Sequence, residues 1–451
     1  MSTDKTTKAR KGVTRREVLK IIGAGAAGVA ATSVLAGCGA APAAAPQQAA
    51  ATQPTQFTPV PTVTKEVTLR HWMHLAPPDP LMHQFVKDFN EEYKGKIRVE
   101  FEEIPWDGIY QKLTTAIAAG EAPDTAELHD NWIGAFGKAD WALPLDDYVV
   151  KWQYKDTISQ ALLDTGRTGA GKPMIRLPYS YVVTFLYYRR DWLEEAGVKL
   201  PTTQEEFVEA CKAVTRPNEN RYAYGMRGSR NGQFHWEPFI EQAGGAYVDE
   251  NGKVVINSEA AKVGNQFYAD LFLTHKVCRP SGVTDGWPEI LDGLQKGEIG
   301  MFIHTINIAK LLTDALGDKI AFAKLPKGQR EASTAVASGF QILRGTRYPD
   351  EAWEWISYLC RPENQKRILY NPDVSFIPVS TAVADDPKFK EPLYQISFES
   401  AKSIVPLPLW LPTYGEFVEK EWSPTFQSVL LGKMEPDAMM DHFAKFLEGE
   451  A

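Results

Sequence analysis

The run Val67-Thr68-Leu69-Arg70-His71-Trp72-Met73 carries an apolar side chain at every second early position, and this period of two predicts a strand. Asp79-Pro80 then offers an N-cap and a first-turn proline, and Leu81, Phe85, Phe89 and Tyr93 recur at helical spacing on one face. Ile97-Arg98-Val99-Glu100-Phe101 returns to period two, Ile109, Leu113, Ile117 and Ala118 mark a second helix, and a third strand is expected over 124–128. This alternation predicts an α/β architecture: a mainly parallel sheet covered by helices, with ligand contacts in loops at the carboxyl ends of the strands.

A second segment opens with the strongly β-forming run Leu177 to Tyr188. A helix follows through Asp191 to Ala196 and stops at Gly197, and Thr202 with Glu205 forms a capping box for a helix running to Val214. Ser258 caps another helix carrying Phe267, Tyr268, Leu271 and Phe272, and Ile299 to Ile303 is a short buried strand. Pro349-Asp350-Glu351 starts a helix whose packed face is Ala352, Trp355, Ile356 and Leu359; Trp353 and Trp355 are structural on this pattern.

The first 37 residues read as targeting sequence. The paired Arg15-Arg16 precede a Gly/Ala-rich apolar run from Ile21 to Ala36, the layout of a twin-arginine export signal. Leu35-Ala36-Gly37-Cys38 ends that run as a bacterial lipobox does, which makes Cys38 the lipidated first residue of the mature chain. Gly23-Ala24-Gly25-Ala26-Ala27-Gly28 matches a dinucleotide fingerprint, but no strand precedes it and no acidic residue follows about 20 positions on, so no cofactor is expected. Residues 38–64, rich in Ala, Pro, Gln and Thr, form a tether too poor in bulky side chains to pack.

At 451 residues the chain exceeds what one core organises, so two lobes are the default. Cleavage after residue 37 removes a segment of net +5 from a chain of net −8 and leaves −13. Such an acidic surface argues against nucleic acid as a partner. Three cysteines remain, Cys211, Cys278 and Cys360, an odd number; buried free thiols fit their apolar surroundings better than a disulfide.

Four stretches carry a family resemblance. Thr68 to Trp72 is similar to a first strand with an aromatic end, and Gly171-Lys172-Pro173 through Leu177-Pro178 to Asp191 is similar to a crossover between lobes. Leu200 to Phe207 resembles a Pro-x-Thr-Trp-x-Glu helix start with Gln204 in place of tryptophan, and Leu294 to Met301 resembles a helix followed by Gly-[Glu/Lys]-x-[Ala/Gly]-Met. Together they resemble the extracellular solute-binding proteins of ABC importers, the family that includes sugar receptors. The resemblance implies a two-lobed periplasmic-binding-protein fold of type II-like form, with discontinuous lobes, 65–180 plus 330–372 and 181–329 plus 373–451, joined by a hinge. It also implies a monomer that hands a solute, a mono- or oligosaccharide, to membrane permease subunits.

A sugar presents an apolar face and a ring of hydroxyls, so its receptor needs flat aromatic platforms beside groups that satisfy hydroxyls. The candidates are Trp72, His74, Asp130, Asn131, Trp132, Tyr181, Trp236 beside His235, Trp287, His304, Phe340, Trp410 and Tyr414. For each, packing in the core is the competing assignment. Glu102 and Glu103 stand between a surface role and a polar contact. His71 and His74 point to opposite faces of a strand and have no further ligand nearby in sequence, so no metal is expected.

Two other readings stay open. An exported glycoside hydrolase would need paired carboxylates across an aromatic cleft, and neither a nucleophile elbow nor a phosphate-binding P-loop occurs in the chain. A receptor for a polyol phosphate, polyamine or peptide would use other contacts, for a phosphate drawing on Arg70, Arg176, Arg227 or Arg230.

Overall fold

In the computed structural model, which describes residues 65–74, 80–405 and 407–450, β1 (Val67–His74) lies between β2 (Ile97–Ile104) and β3 (Thr125–His129), parallel to both. Parallel neighbours require a crossover, and the helices Pro80–Glu92 and Trp106–Ala119 supply it. On the first, Met82, Phe85 and Phe89 are buried, while Leu81 and Tyr93 are only half-buried. The expected N-cap, Asp79, lies outside the described residues, as do Arg15, Arg16, Cys38 and the tether.

β4 (Leu177–Arg189) belongs to two sheets. Residues up to Val183 pair antiparallel with β8 (Ala335–Ile342), which also pairs antiparallel with β3. From Thr184 onward β4 pairs antiparallel with β6 (Ile299–Thr305), and from Leu186 with β7 (Ile320–Ala323). β5 (Tyr222–Tyr224) runs parallel to β6, and β9 (Ile377–Pro378) pairs with β4 at Ser180 and Tyr181. The expectation of a mainly parallel sheet is therefore corrected: the sheet is mixed. β4 alone runs through both halves, and β6, β7, β8 and β9 all lie antiparallel to it, as β8 does to β3.

The halves meet at a knot of hydroxyls. The Thr184 amide donates to the Thr334 carbonyl at 2.8 Å, the Thr334 amide donates to Thr184 Oγ1 at 2.9 Å, and Ser333 Oγ donates to the Thr184 carbonyl at 2.5 Å. All three residues are buried. Here β4 changes sheet, between Val183 and Thr184.

Each half-sheet is covered on both sides. In the first, Leu69, Phe85, Phe89 and Trp355 fill one layer, and Ile109, Leu113 and Trp132 belong to another. In the second, Phe207, Tyr268, Phe426 and Phe443 form one cluster, and Phe185, Tyr187, Phe302 and Tyr394 form the other. Each such side chain contributes about 1.5–3 kcal/mol when fully buried. The helix Gln204–Val214 is capped one residue later than expected: Thr203 Oγ1 accepts from the Glu206 amide, while Thr202 donates its amide and hydroxyl to the Glu206 carboxylate, each at 2.8 Å. Cys211, Cys278 and Cys360 are buried free thiols. Among the described residues no helix is long and apolar enough to cross a membrane.

Candidate functional site

Both half-sheets send strand ends into one cleft, whose empty volume is about 1200 Å³ counting its open mouth. β1 ends there with Met73 and His74, and β3 contributes Glu127 and His129. Ser180, Val182 and Thr184 of β4 and Val336 and Ser338 of β8 form its base, and β6 ends in it with His304 and Thr305. This is the carboxyl-end placement that strand–helix crossovers impose on a ligand site.

Two tryptophans wall the cleft from opposite halves. Trp106 is the first residue of the helix after β2, and Trp287 the first of the helix Trp287–Lys296; both are half-buried, leaving part of each ring free. Trp106 lies with its centroid 4.7 Å from the His74 ring and 4.4 Å from the His129 ring. Trp287 packs 4.5 Å from His304. First-turn positions hold an indole rigidly while pointing it away from the helix core.

Around these rings sit polar groups with bonding capacity left over. Arg227 Nε, Asn231 Nδ2 and His235 Nδ1 are all buried, line the cleft and have no hydrogen-bond partner, while Glu127 Oε1 has only His129 Nε2, 3.2 Å away. A buried polar atom left unpaired costs about 1–3 kcal/mol, so three lining one cavity mark a place built for a polar guest. Among the described residues no carboxylate lies within ion-pair distance of Arg227, and burial pulls its guanidinium down to about 10. Burial and the charge of Arg227 hold His304 down to about 3, and the same causes push His235 well below the ordinary imidazole range. Both imidazoles are therefore neutral at physiological pH and offer one donor and one acceptor each.

Of the residues singled out from the sequence, His74, Asn131, Trp287 and His304 line the cleft. The others are placed elsewhere, each for a physical reason. Trp72 shares a face of β1 with His74 but lies one strand repeat short of the strand end, where it is buried against the layer of Ile109 and Leu113, with Lys112 Nζ 4.6 Å above its ring. Asp130 is paired with Arg176 beneath the cleft. Trp132 is buried and donates Nε1 to Glu419 Oε1 at 2.9 Å. Tyr181 faces away from Ser180 and Val182, as alternation on β4 requires. Trp236 lies in the core of the second half with Nε1 on Asn265 Oδ1 at 2.9 Å, while its neighbour His235 reaches the cleft. Phe340 is buried between His71 and Tyr179. Trp410 is 41% exposed against Gly252, and Tyr414 is buried with its hydroxyl on Glu237 Oε1 at 2.8 Å. Glu102 and Glu103 are exposed beside Lys112 and His83.

Sequence reasoning passed over Trp106, Glu127, His129 and Asn231. Two signals were present. The period of β3 puts Glu127 and His129 on one face just before Asp130, so the cleft contacts begin one strand repeat earlier than the Asp130-Asn131-Trp132 turn. Pro105-Trp106 also repeats the first-turn placement of Trp287-Pro288. Of the four arginines considered for phosphate, Arg176 is bound to Asp130, Arg230 to Glu419 at 2.5 Å, and Arg70 to the carbonyls of Glu121 and Ala122. Arg227 alone of them lines the cleft.

Two α/β halves that share crossing strands and enclose a polar, aromatic-walled cleft define a two-lobed solute-binding protein. A family model described as bacterial extracellular solute-binding protein matches residues 75–366, and the chain belongs to that family. A binding protein of Brucella abortus is 24% identical over 387 residues, covering 83% of this chain and 90% of its own length. The diacetylchitobiose binding protein DasA of Streptomyces coelicolor is 27% identical over 243 residues, 52% of this chain and 54% of that protein. An ABC transporter solute-binding protein of Thermotoga lettingae, solved with bound alpha-D-tagatose, superposes with a TM-score of 0.77 at 23% identity, covering 85% of this chain and 99% of that one. These relatives are binding proteins, and this chain is a solute-binding protein rather than an enzyme; its family places it outside the cytoplasm.

Proposed function

We propose that this chain is the solute-capturing component of an ABC importer, which closes on a carbohydrate-like guest between Trp106 and Trp287 and hands it unchanged to membrane permease subunits. The observation that carries this reading is a half-buried indole from each half in one cavity together with three unpartnered buried polar atoms. Flat apolar rings meet the C–H face of a sugar, and the orphaned donors and acceptors meet its hydroxyls. The names of relatives that bind diacetylchitobiose and tagatose support the same ligand class. On this reading the lobes are 65–183 with 335–372 and 184–334 with 373–450, and the Thr184–Ser333–Thr334 knot is the hinge. Export through Arg15-Arg16 and lipidation at Cys38 would tether a monomer to the outer face of the cell membrane.

A second reading keeps the receptor and changes the guest. Arg227, buried without a carboxylate partner, favours a ligand carrying an acidic group such as a polyol phosphate. A thermal-shift screen of the full chain against mono- and oligosaccharides, polyols and glycerol phosphates separates the two. Saturable stabilisation by a neutral sugar without product formation supports the first. A response confined to the phosphates selects the second, and turnover of an oligosaccharide overturns both. Membrane fractionation of Cys38→Ser tests the tether, the expected result being release from the membrane.

A further inference from the structure

At the carboxyl ends of β1 and β3, His74, Glu127 and His129 bring one ligand atom each to a common point, all within 4.8 Å of one another. His129 Nε2 stands 3.2 Å from Glu127 Oε1 and 3.3 Å from His74 Nδ1, and His74 Nδ1 is in contact with Glu127 Oε2. The partners that His74 lacked in the linear sequence come from β3. His71 is not among them, since its Nδ1 bonds Thr125 Oγ1 at 2.8 Å in the core.

We propose that His74, Glu127 and His129 bind one divalent transition-metal ion of the zinc class at the cleft floor, with a fourth coordination position open to the solute. A tetrahedral ion at about 2.0–2.1 Å from each donor separates the donors by about 3.3 Å, which is the spacing on both sides of His129 Nε2. Glu127 Oε1 is buried and faces His129 Nε2 at 3.2 Å, so a carboxylate oxygen and a ring nitrogen already converge where the ion would sit. His129 Nδ1 faces Ser338 Oγ at 3.5 Å, an arrangement that leaves Nε2 as the coordinating nitrogen. Two imidazoles and one carboxylate suit zinc; the set has no thiolate for copper(I) and too few oxygens for calcium or magnesium. One anionic ligand against a divalent ion leaves a net positive centre, to which vicinal hydroxyls of a sugar or polyol would present lone pairs.

Metal uptake is measured with no solute present, so its failure is separate from failure of the receptor reading. The full chain, stripped with a chelator and dialysed, is titrated with zinc, cobalt(II), magnesium and calcium. The expected result is one equivalent of zinc per chain, visible absorption bands of four-coordinate cobalt, and no uptake of magnesium or calcium. His74 is half-buried, and His74→Ala, with folding checked by circular dichroism, is expected to weaken zinc binding more than about 100-fold, beyond the 10–100-fold typical of losing an outer-shell partner. Zinc taken up substoichiometrically, cobalt retaining the spectrum of its hydrated ion, or zinc binding unchanged in His74→Ala would overturn the proposal and leave the three side chains as hydroxyl readers.

Discussion

The carboxylate of Asp130 grips two crossing strands at once: Oδ1 pairs with the guanidinium of Arg176, and Oδ2 accepts the Ala337 amide at 2.7 Å. Arg176, fully buried, extends the clasp to the Ala337 carbonyl at 2.6 Å and to the carbonyl and hydroxyl of Thr165, each at 2.9 Å. The end of β3, the approach to β4 and the start of β8 are thereby fixed relative to one another just under the cleft.

Removing one partner of this pair strands the other as a buried charge. Arg176→Met and Asp130→Ala are each expected to cost about 3–5 kcal/mol in urea denaturation, with a double mutant costing clearly less than the sum. Additive losses would show that the two groups do not depend on each other.

The two classes of tryptophan should separate cleanly. Trp106→Ala and Trp287→Ala are expected to weaken solute binding by at least about 2 kcal/mol, roughly 30-fold in Kd, with little change in Tm of the unliganded protein. Trp236→Ala leaves a cavity in a packed core and is expected to cost about 3–5 kcal/mol of stability. Isothermal titration beside thermal melts distinguishes these outcomes, and a stable Trp236→Ala that loses only binding would contradict the assignment of Trp236 to the core.

Glu237 supplies a pH signature. Burial pushes its carboxyl up to about 8, against the opposing hydrogen bonds of Tyr414 and Tyr247. The unfolded chain ionises it near 4.5, so between pH 4.5 and about 8 the folded state binds the extra proton. Its contribution is present in full below the unfolded value and declines as pH rises through that window. The separation corresponds to an upper bound of about 5 kcal/mol at about 1.36 kcal/mol per pH unit. Glu237→Gln, which keeps the acceptor and cannot ionise, is expected to match the wild type at pH 4.5 and to melt higher at pH 8.5. Parallel Tm profiles for the two proteins across this range would show that Glu237 ionises normally.

Gly339 sits in β8 where a Cβ would come within 2.2 Å of the Leu177 carbonyl oxygen, a backbone atom that cannot swing aside. Gly339→Ala is expected to cost at least about 1–3 kcal/mol by forcing β8 away from β4. An unchanged unfolding midpoint would mean that this crossing is looser than its geometry implies.

Much of the scaffold was legible before any coordinates. The period-two runs at 67–73 and 97–101 and the short apolar run at 299–303 are strands, and the helix stops at Gly197 and Gly297 are left-handed C-caps, because side-chain pattern and backbone permissiveness act over a few residues. The cleft was only partly legible. His74 ends a strand, Trp287 opens a helix, and His304 and Asn131 lie within two residues of a strand end, which is why they were found. Trp236 is a single step along the helix Gln233–Gln242 from His235, enough to turn its ring from cavity to core, and Trp72 lies one strand repeat short of His74, where the same face of β1 is already covered by Ile109 and Leu113.

Local pattern thus determined which segments become strands and helices, that two bodies share the chain, and that aromatic and polar groups would gather at strand ends. Tertiary structure alone decided that β4 passes from one sheet into the other while β8 lies antiparallel to it in the first, that Arg176 is consumed by Asp130 while Arg227 has no ion-pair partner among the described residues, and that Glu127 and His129 meet His74. Those outcomes depend on residues more than 45 positions apart being brought within about 4 Å, and at that range the pairing is set by register and packing across the whole sheet, which no short window of sequence contains.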